Sequence, residues 1–103
     1  MYFVYMIKCK DGSYYTGFTN NFDRRLREHL SGNGAKYFRS KQHQILEATF
    51  LEVTFSIKVA MREERKIKKL THKEKAKIFK GGLSTSQIVW KEPTFINVGG
   101  VLL

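Results

Sequence analysis

Residues 2 to 9 are apolar and β-prone in both alternating sets, Phe3/Tyr5/Ile7 and Tyr2/Val4/Met6. A strand with one solvated face would interleave polar residues, so this run predicts a central strand covered on both faces. Lys10-Asp11-Gly12 is a turn signal and Ser13 to Phe18 a second β-rich run, which together predict an antiparallel hairpin. The period then changes. Phe22, Leu26 and Leu30 recur at every fourth position, Asn20 or Asn21 can cap the helix they imply, and Ser31-Gly32-Asn33-Gly34 stops it. Lys36 to Lys41 is too short for periodicity to separate a second short helix from a basic loop. Ile45 to Phe55 reads as a third strand, in which Leu46/Ala48/Phe50 alternate before the phase slips to Leu51/Val53/Phe55, as at a bulge or bend. Ser56 caps a helix reaching about Leu70, and Thr71-His72-Lys73-Glu74 is a capping box that opens another, stopped by Gly81-Gly82.

The order ββαβαα predicts an α+β fold, a small three-stranded antiparallel sheet flanked by helices. A chain of 103 residues has apolar surface for one core only, here placed over residues 1–82. Residues 83–103, with Trp90, Pro93, Phe95 and an apolar end from Val98, show no assignable period and are expected as a docked strand or a disordered tail.

Charge changes the picture more than composition does. The hydrophobic content of 42% is that of a globular chain, but 19 Lys and Arg against nine Asp and Glu give a net charge of +10. Such self-repulsion is relieved by an anionic partner, and nucleic acid is the first candidate, DNA above all. A membrane surface is not expected, because no helix pairs its basic face with a broad apolar one and no apolar run could span a bilayer. Cys9 is the one cysteine, so an intrachain disulfide is excluded and Cys-His spacing for structural zinc is absent. With no signal-peptide pattern after Met1, the expected address is the cytoplasm.

Three polar-aromatic features remain: Tyr5, the run Tyr14-Tyr15-Thr16-Gly17, and Arg24-Arg25 with His29 one turn on. Singly each is ordinary, since a strand tyrosine usually packs and a helix arginine is usually solvated. Together, Phe3-Val4-Tyr5, Tyr15-Thr16-Gly17 and Arg25/His29 resemble the GIY-YIG nuclease superfamily, whose name comes from those two strand motifs. The likeness extends through Asp23-Arg-Arg, the stretch His29 to Lys36, Ala60 with Glu64, and Ile67 to Thr71, about residues 2 to 80. It is similar to a small stand-alone bacterial subfamily and to the nuclease domain of structure-specific resolvases.

The resemblance implies a metal-dependent endonuclease that hydrolyses phosphodiester bonds in DNA, branched or single-stranded substrates included. It implies a magnesium or manganese ion held by one carboxylate. On the 56–70 helix Glu63 and Glu64 flank the Ala60/Ile67 face on opposite sides, and helical geometry does not choose between them. The family pattern chooses Glu64 as metal ligand, while the competing reading makes Glu64 an ordinary i, i+4 ion pair with Lys68. Tyr5 and Tyr15 would position or activate the attacking water, with the general base open between them. Arg25 would clamp the phosphate bidentately, and His29 would orient phosphate or a tyrosine hydroxyl.

Arg24, Lys36, Tyr37, Arg39 and Lys41 form the expected nucleic-acid contacts, Tyr37 by stacking on unpaired bases. The lysines of the last two helices form a general field, and His43 and His72 read as surface residues. The alternative to an enzyme is a non-catalytic nucleic-acid-binding module of the same fold; a protein partner and the oligomeric state stay open. One structural expectation follows from the chemistry. For both tyrosines to share a face, the turn must hold three residues, Lys10-Asp11-Gly12, pairing Ile7 with Tyr15 and Tyr5 with Gly17, with Gly12 at positive φ.

Overall fold

The computed structural model describes residues 1–81 together with the backbone of Asn97–Val98 and Val101–Leu102. β1 (Tyr2–Cys9) and β2 (Tyr14–Thr19) form the expected hairpin, and β3 (Ile45–Thr54) pairs antiparallel along the other edge of β1. β1 is therefore central in the three-stranded antiparallel sheet, as its two apolar faces require. α1 (Phe22–Ser31), α2 (Ile57–Lys68) and α3 (His72–Lys80) complete the α+β order. Residues 36–43 form two short 3₁₀ turns, Lys36–Arg39 and Lys41–His43, which resolves the choice left by the pattern.

Residue parity on β1 assigns each side chain to a layer. Tyr5, Ile7 and Cys9 pack with Phe22 and Leu26 of α1 and with Ala48 and Phe50 of β3. Val4 and Met6 pack on the opposite face with Ala60 and Ile67 of α2. The turn has the predicted form: Cys9 N–H donates to the Ser13 carbonyl at 2.8 Å, Gly12 N–H to the Cys9 carbonyl at 2.9 Å, and Gly12 has φ 88. Ile7 accordingly faces Tyr15, and Tyr5 faces Gly17. On the other edge Val4 faces Glu52 while Tyr5 faces Phe50, so Leu51 is an extra residue at the point where the apolar phase of β3 slips.

The helix ends follow their caps. The Asn21 side chain accepts from Arg24 N–H, Gly32 closes α1 at φ 83, and Thr71 and Glu74 form both halves of the capping box. Three apolar residues depart from the expected pattern, the first being Leu46, which is 47% exposed because the register of β3 shifts between the partners of Lys8 and Cys9 and leaves it out of step with Ala48 and Phe50. Phe55 lies past the end of β3 and is 83% exposed. Leu30 is 41% exposed while His29 is buried, because at about 100° per residue His29 lies nearer the direction shared by Phe22 and Leu26.

The sheet also carries more than the expected three strands. β4 (Asn97–Val98) pairs parallel to β3 and β5 (Val101–Leu102) folds back on it, giving the order β2-β1-β3-β4-β5. The predicted tail thus adds backbone to the edge that β3 would leave unpaired; its other residues lie outside the described residues.

Candidate active site

Tyr5 projects from the middle strand across the outer one. A Cβ added to Gly17 would stand 2.6 Å from the Tyr5 hydroxyl and 2.7 Å from Cζ, so the ring occupies the space a side chain would fill. The tyrosine of one motif and the glycine of the other are thus two halves of a single contact. Tyr5 is 1% exposed and meets Phe22 edge-on at 5.3 Å. Tyr15, two residues before Gly17 on the same face, is half-buried, with its ring centroid 6.4 Å from Tyr5 and 5.4 Å from His29.

His29 is buried beneath both rings, and its Nε2 lies 2.8 Å from the Tyr5 hydroxyl. Its other nitrogen, Nδ1, accepts the backbone N–H of Ala35 at 3.2 Å. Burial first, and then the positive charge of Arg25, lower its pKa from 6.5 to about 4, so the ring is neutral at pH 7. A neutral imidazole that accepts at Nδ1 carries its proton on Nε2, which therefore donates to Tyr5. Gly34 keeps this approach open, because a Cβ there would collide with His29.

Arg25, one turn before His29, pairs with Glu28 at 3.1 Å and remains half-buried. Its positive charge acts electrostatically on Tyr5 and on Tyr15. The Tyr5 phenol is nonetheless pushed far above its usual pKa, by burial first and by the neighbouring Tyr15 next, with Glu64 adding to the rise. Arg25 opposes the shift without overcoming it.

Glu64 approaches from the opposite layer. Ala60 and Ile67 anchor α2 under β1, and of the two adjacent acids Glu64 is the one whose charge acts on Tyr5. Its side chain is 21% exposed and meets Lys68 at 3.5 Å, so the expected ion pair forms. Such a half-solvated pair contributes at most about 1 kcal/mol and leaves the carboxylate available. Among the described residues no group of three His, Cys, Asp or Glu comes together as metal ligands. One half-buried carboxylate fits a hard cation that keeps most of its water, and does not fit a fully caged transition metal.

The expected nucleic-acid contacts divide. Lys36 and Lys41 are exposed, as is Arg24, which reaches Asn20 at 3.3 Å. Arg39 is exposed too but donates to the Gly32 carbonyl at 3.2 Å, finishing the end of α1. Tyr37 is not an open stacking platform: it stacks on His43 at 3.7 Å and 4°, and its hydroxyl donates to Ser13 Oγ at 2.6 Å. His43 and His72 are also more than surface residues. His43 lies between the Tyr37 carbonyl at 2.9 Å and Asp11 at 3.6 Å, and His72 Nε2 reaches the Gly12 carbonyl at 2.8 Å. No sequence signal marks these contacts, two of which join a histidine to the Asp11-Gly12 turn far from it in the chain.

The family model described as the GIY-YIG catalytic domain matches residues 1–77. The UPF0213 protein BH0048 of Halalkalibacterium halodurans is 43% identical over 83 residues, 79% of this chain and 86% of that protein. A UPF0213 protein of Halobacterium salinarum is 44% identical over 79 residues, 77% of this chain and all of that one. The solution NMR structure of the UPF0213 protein BH0048 from Bacillus halodurans is 39% identical, with a TM-score of 0.43 over 76% of this chain and 82% of that one.

Proposed function

Because the chain belongs to the GIY-YIG catalytic domain family, matching it over residues 1–77, we propose that it is an endonuclease hydrolysing phosphodiester bonds in DNA with one divalent cation, magnesium or manganese. The observation that carries the reading is the buried Tyr5 hydroxyl, bonded to His29 at 2.8 Å, beside Tyr15 and within the electrostatic reach of Arg25 and Glu64. The packing of Tyr5 does not require Arg25 or Glu64, yet both bring their charge to bear on its buried oxygen.

Glu64 would hold the cation, whose positive charge offsets the charge that develops on the phosphate as it is attacked. Arg25 suits a bidentate grip on the non-bridging oxygens, since its planar fork presents paired donors that a lysine lacks. Tyr5 is a poor base: its phenol is held protonated by burial, and its oxygen already accepts from His29. Its own proton is left to donate into the site, which orients the attacking water. Proton removal from that water then falls to Tyr15 acting as a phenolate, its own proton having first passed to solvent, which its half-buried ring lets it reach and which the positive charge of Arg25 favours. His29 acts through Tyr5 as a positioning residue, its direction of donation set by the Ala35 amide.

The test is cleavage of plasmid, single-stranded and branched DNA with and without magnesium. Glu64→Gln and Arg25→Lys should lose cleavage while keeping the thermal midpoint, and Glu63→Gln should stay close to wild type. Wild-type cleavage by Glu64→Gln would remove that residue as cation ligand. Binding without cleavage under every metal would replace the enzyme with a binding module.

A further inference from the structure

The end of α1, the 3₁₀ turns and the start of β3 enclose an open cavity of about 260 Å³, lined by His29, Leu30, Phe38, His43, Gln44 and Ile45. We infer that this cavity is a subsite for one unpaired nucleobase next to the cleaved phosphate. The inference rests on the nucleic-acid reading above and narrows its substrate to DNA with an extrahelical or single-stranded nucleotide.

Size and lining select the occupant. The volume lies just under the roughly 300 Å³ at which pockets for drug-sized molecules begin, so it suits one flat ring system. Leu30, Phe38 and Ile45 supply apolar walls for the faces of a heterocycle. His43 is engaged by Asp11 and the Tyr37 carbonyl, whereas the Gln44 amide makes no hydrogen bond among the described residues. A carboxamide presents a donor and an acceptor side by side, which is the pattern that reads a base edge. Leu30 gains a purpose here: it is a large apolar residue left 41% exposed at the rim of this cavity.

Position supplies the rest. His29 forms part of the cavity wall and also bonds Tyr5, so a single side chain separates a bound base from the proposed reaction centre. Lys36, Arg39 and Lys41 are exposed on the same short segment as Phe38 and His43, which suits the phosphates on either side of that base. Tyr37, by contrast, is already stacked, so an entering base would meet Phe38 instead. A paired base cannot enter such a cavity without leaving its duplex, which costs least where the base is already unpaired.

A duplex carrying one bulged nucleotide, with its base present or replaced by an abasic site, fixes the register for the test. Affinities are read by fluorescence anisotropy in EDTA, where metal-dependent cleavage is silent. The wild-type protein should bind the base-bearing bulge about tenfold more tightly than the abasic one. Leu30→Trp, which fills the cavity from its exposed rim, should abolish that difference, and Gln44→Leu should reduce it. Equal wild-type affinity for the two bulges overturns the subsite without any variant, as does discrimination that survives in a folded Leu30→Trp protein. Equal affinity with magnesium-dependent cleavage intact leaves the nuclease reading standing. Discrimination without cleavage keeps the subsite and removes the nuclease.

Discussion

At the scale of single residues, the family resemblance singles out the tyrosines, Arg25, His29 and Glu64, while the loop amide that orients His29 has no signal in the sequence. The fixed tautomer of His29 depends on a backbone amide in a loop, and every residue but proline brings one. That exception makes a test. Ala35 has φ −62, which proline adopts, so Ala35→Pro deletes the N–H without changing that torsion, while its Cδ takes the place of the hydrogen aimed at Nδ1 and pushes the His29 ring out of register. We expect the ring ¹⁵N shifts of His29 to lose the single-tautomer signature and cleavage to fall about ten- to hundredfold, as for lost outer partners of other site residues. Unchanged ring shifts would remove the amide from the mechanism. Gly17→Ala should lose cleavage and about 1 to 3 kcal/mol of stability, because the new methyl group overlaps the Tyr5 ring. Thr16 offers the opposite case: its buried hydroxyl has no hydrogen-bond partner among the described residues. Thr16→Val should therefore be neutral or stabilise by up to about 1 kcal/mol in chemical denaturation, and a large loss would reveal a partner for that oxygen.

At the scale of elements, the hairpin was readable from its purpose. Two tyrosines that must share a face dictate which residues pair, and the pairing dictates a three-residue turn with glycine at the left-handed position. Gly12→Ala should then cost about 1 kcal/mol or more, measured by urea unfolding, with nothing but backbone conformation at stake, since the space around it is open. The bulge at Leu51 was visible as a phase slip because one inserted residue inverts the apolar face of every residue after it. Less was legible where a contact joins distant elements through a main-chain oxygen. His72, the first residue of α3, grips the Gly12 carbonyl, and nothing local announces it. The short parallel pairing of β4 with β3 was equally hidden, because two residues are too few to show a period. The capping box gives an independent check on the element alone: Thr71→Ala should lower stability by about 1 kcal/mol and leave cleavage untouched.

At the scale of the whole molecule, the charge of +10 was the first clue to a polyanionic partner, and it governs how binding responds to salt. Log affinity should fall by about 0.9 per neutralised phosphate on duplex DNA and about 0.7 on single strands for each decade of salt; a flat response would count against backbone gripping. Stability should follow pH through His29. Its pKa is 6.5 in the unfolded chain and about 4 in the fold, so between those values the unfolded chain binds a proton that the folded one refuses. Stability is therefore full above about pH 6.5 and declines as pH falls toward 4, by roughly 3 kcal/mol in all. Urea midpoints across that window should flatten in His29→Gln, and an equal slope in the variant would assign the decline to other groups.

Tyr5 and His29 are among the largest fully buried side chains of the molecule, and Gly17 is shaped around one of them. Folding alone is thus enough to preserve them in a descendant that has stopped cutting DNA. The letters that name the family testify to ancestry and architecture before they testify to activity. Arg25 and Glu64 are different witnesses, because each is half-buried, tied by an ion pair to a neighbour on its own helix, and belongs to neither core cluster. A relative that keeps both tyrosines, the glycine and the histidine but has shed that arginine and that glutamate would be a retired enzyme in an intact fold.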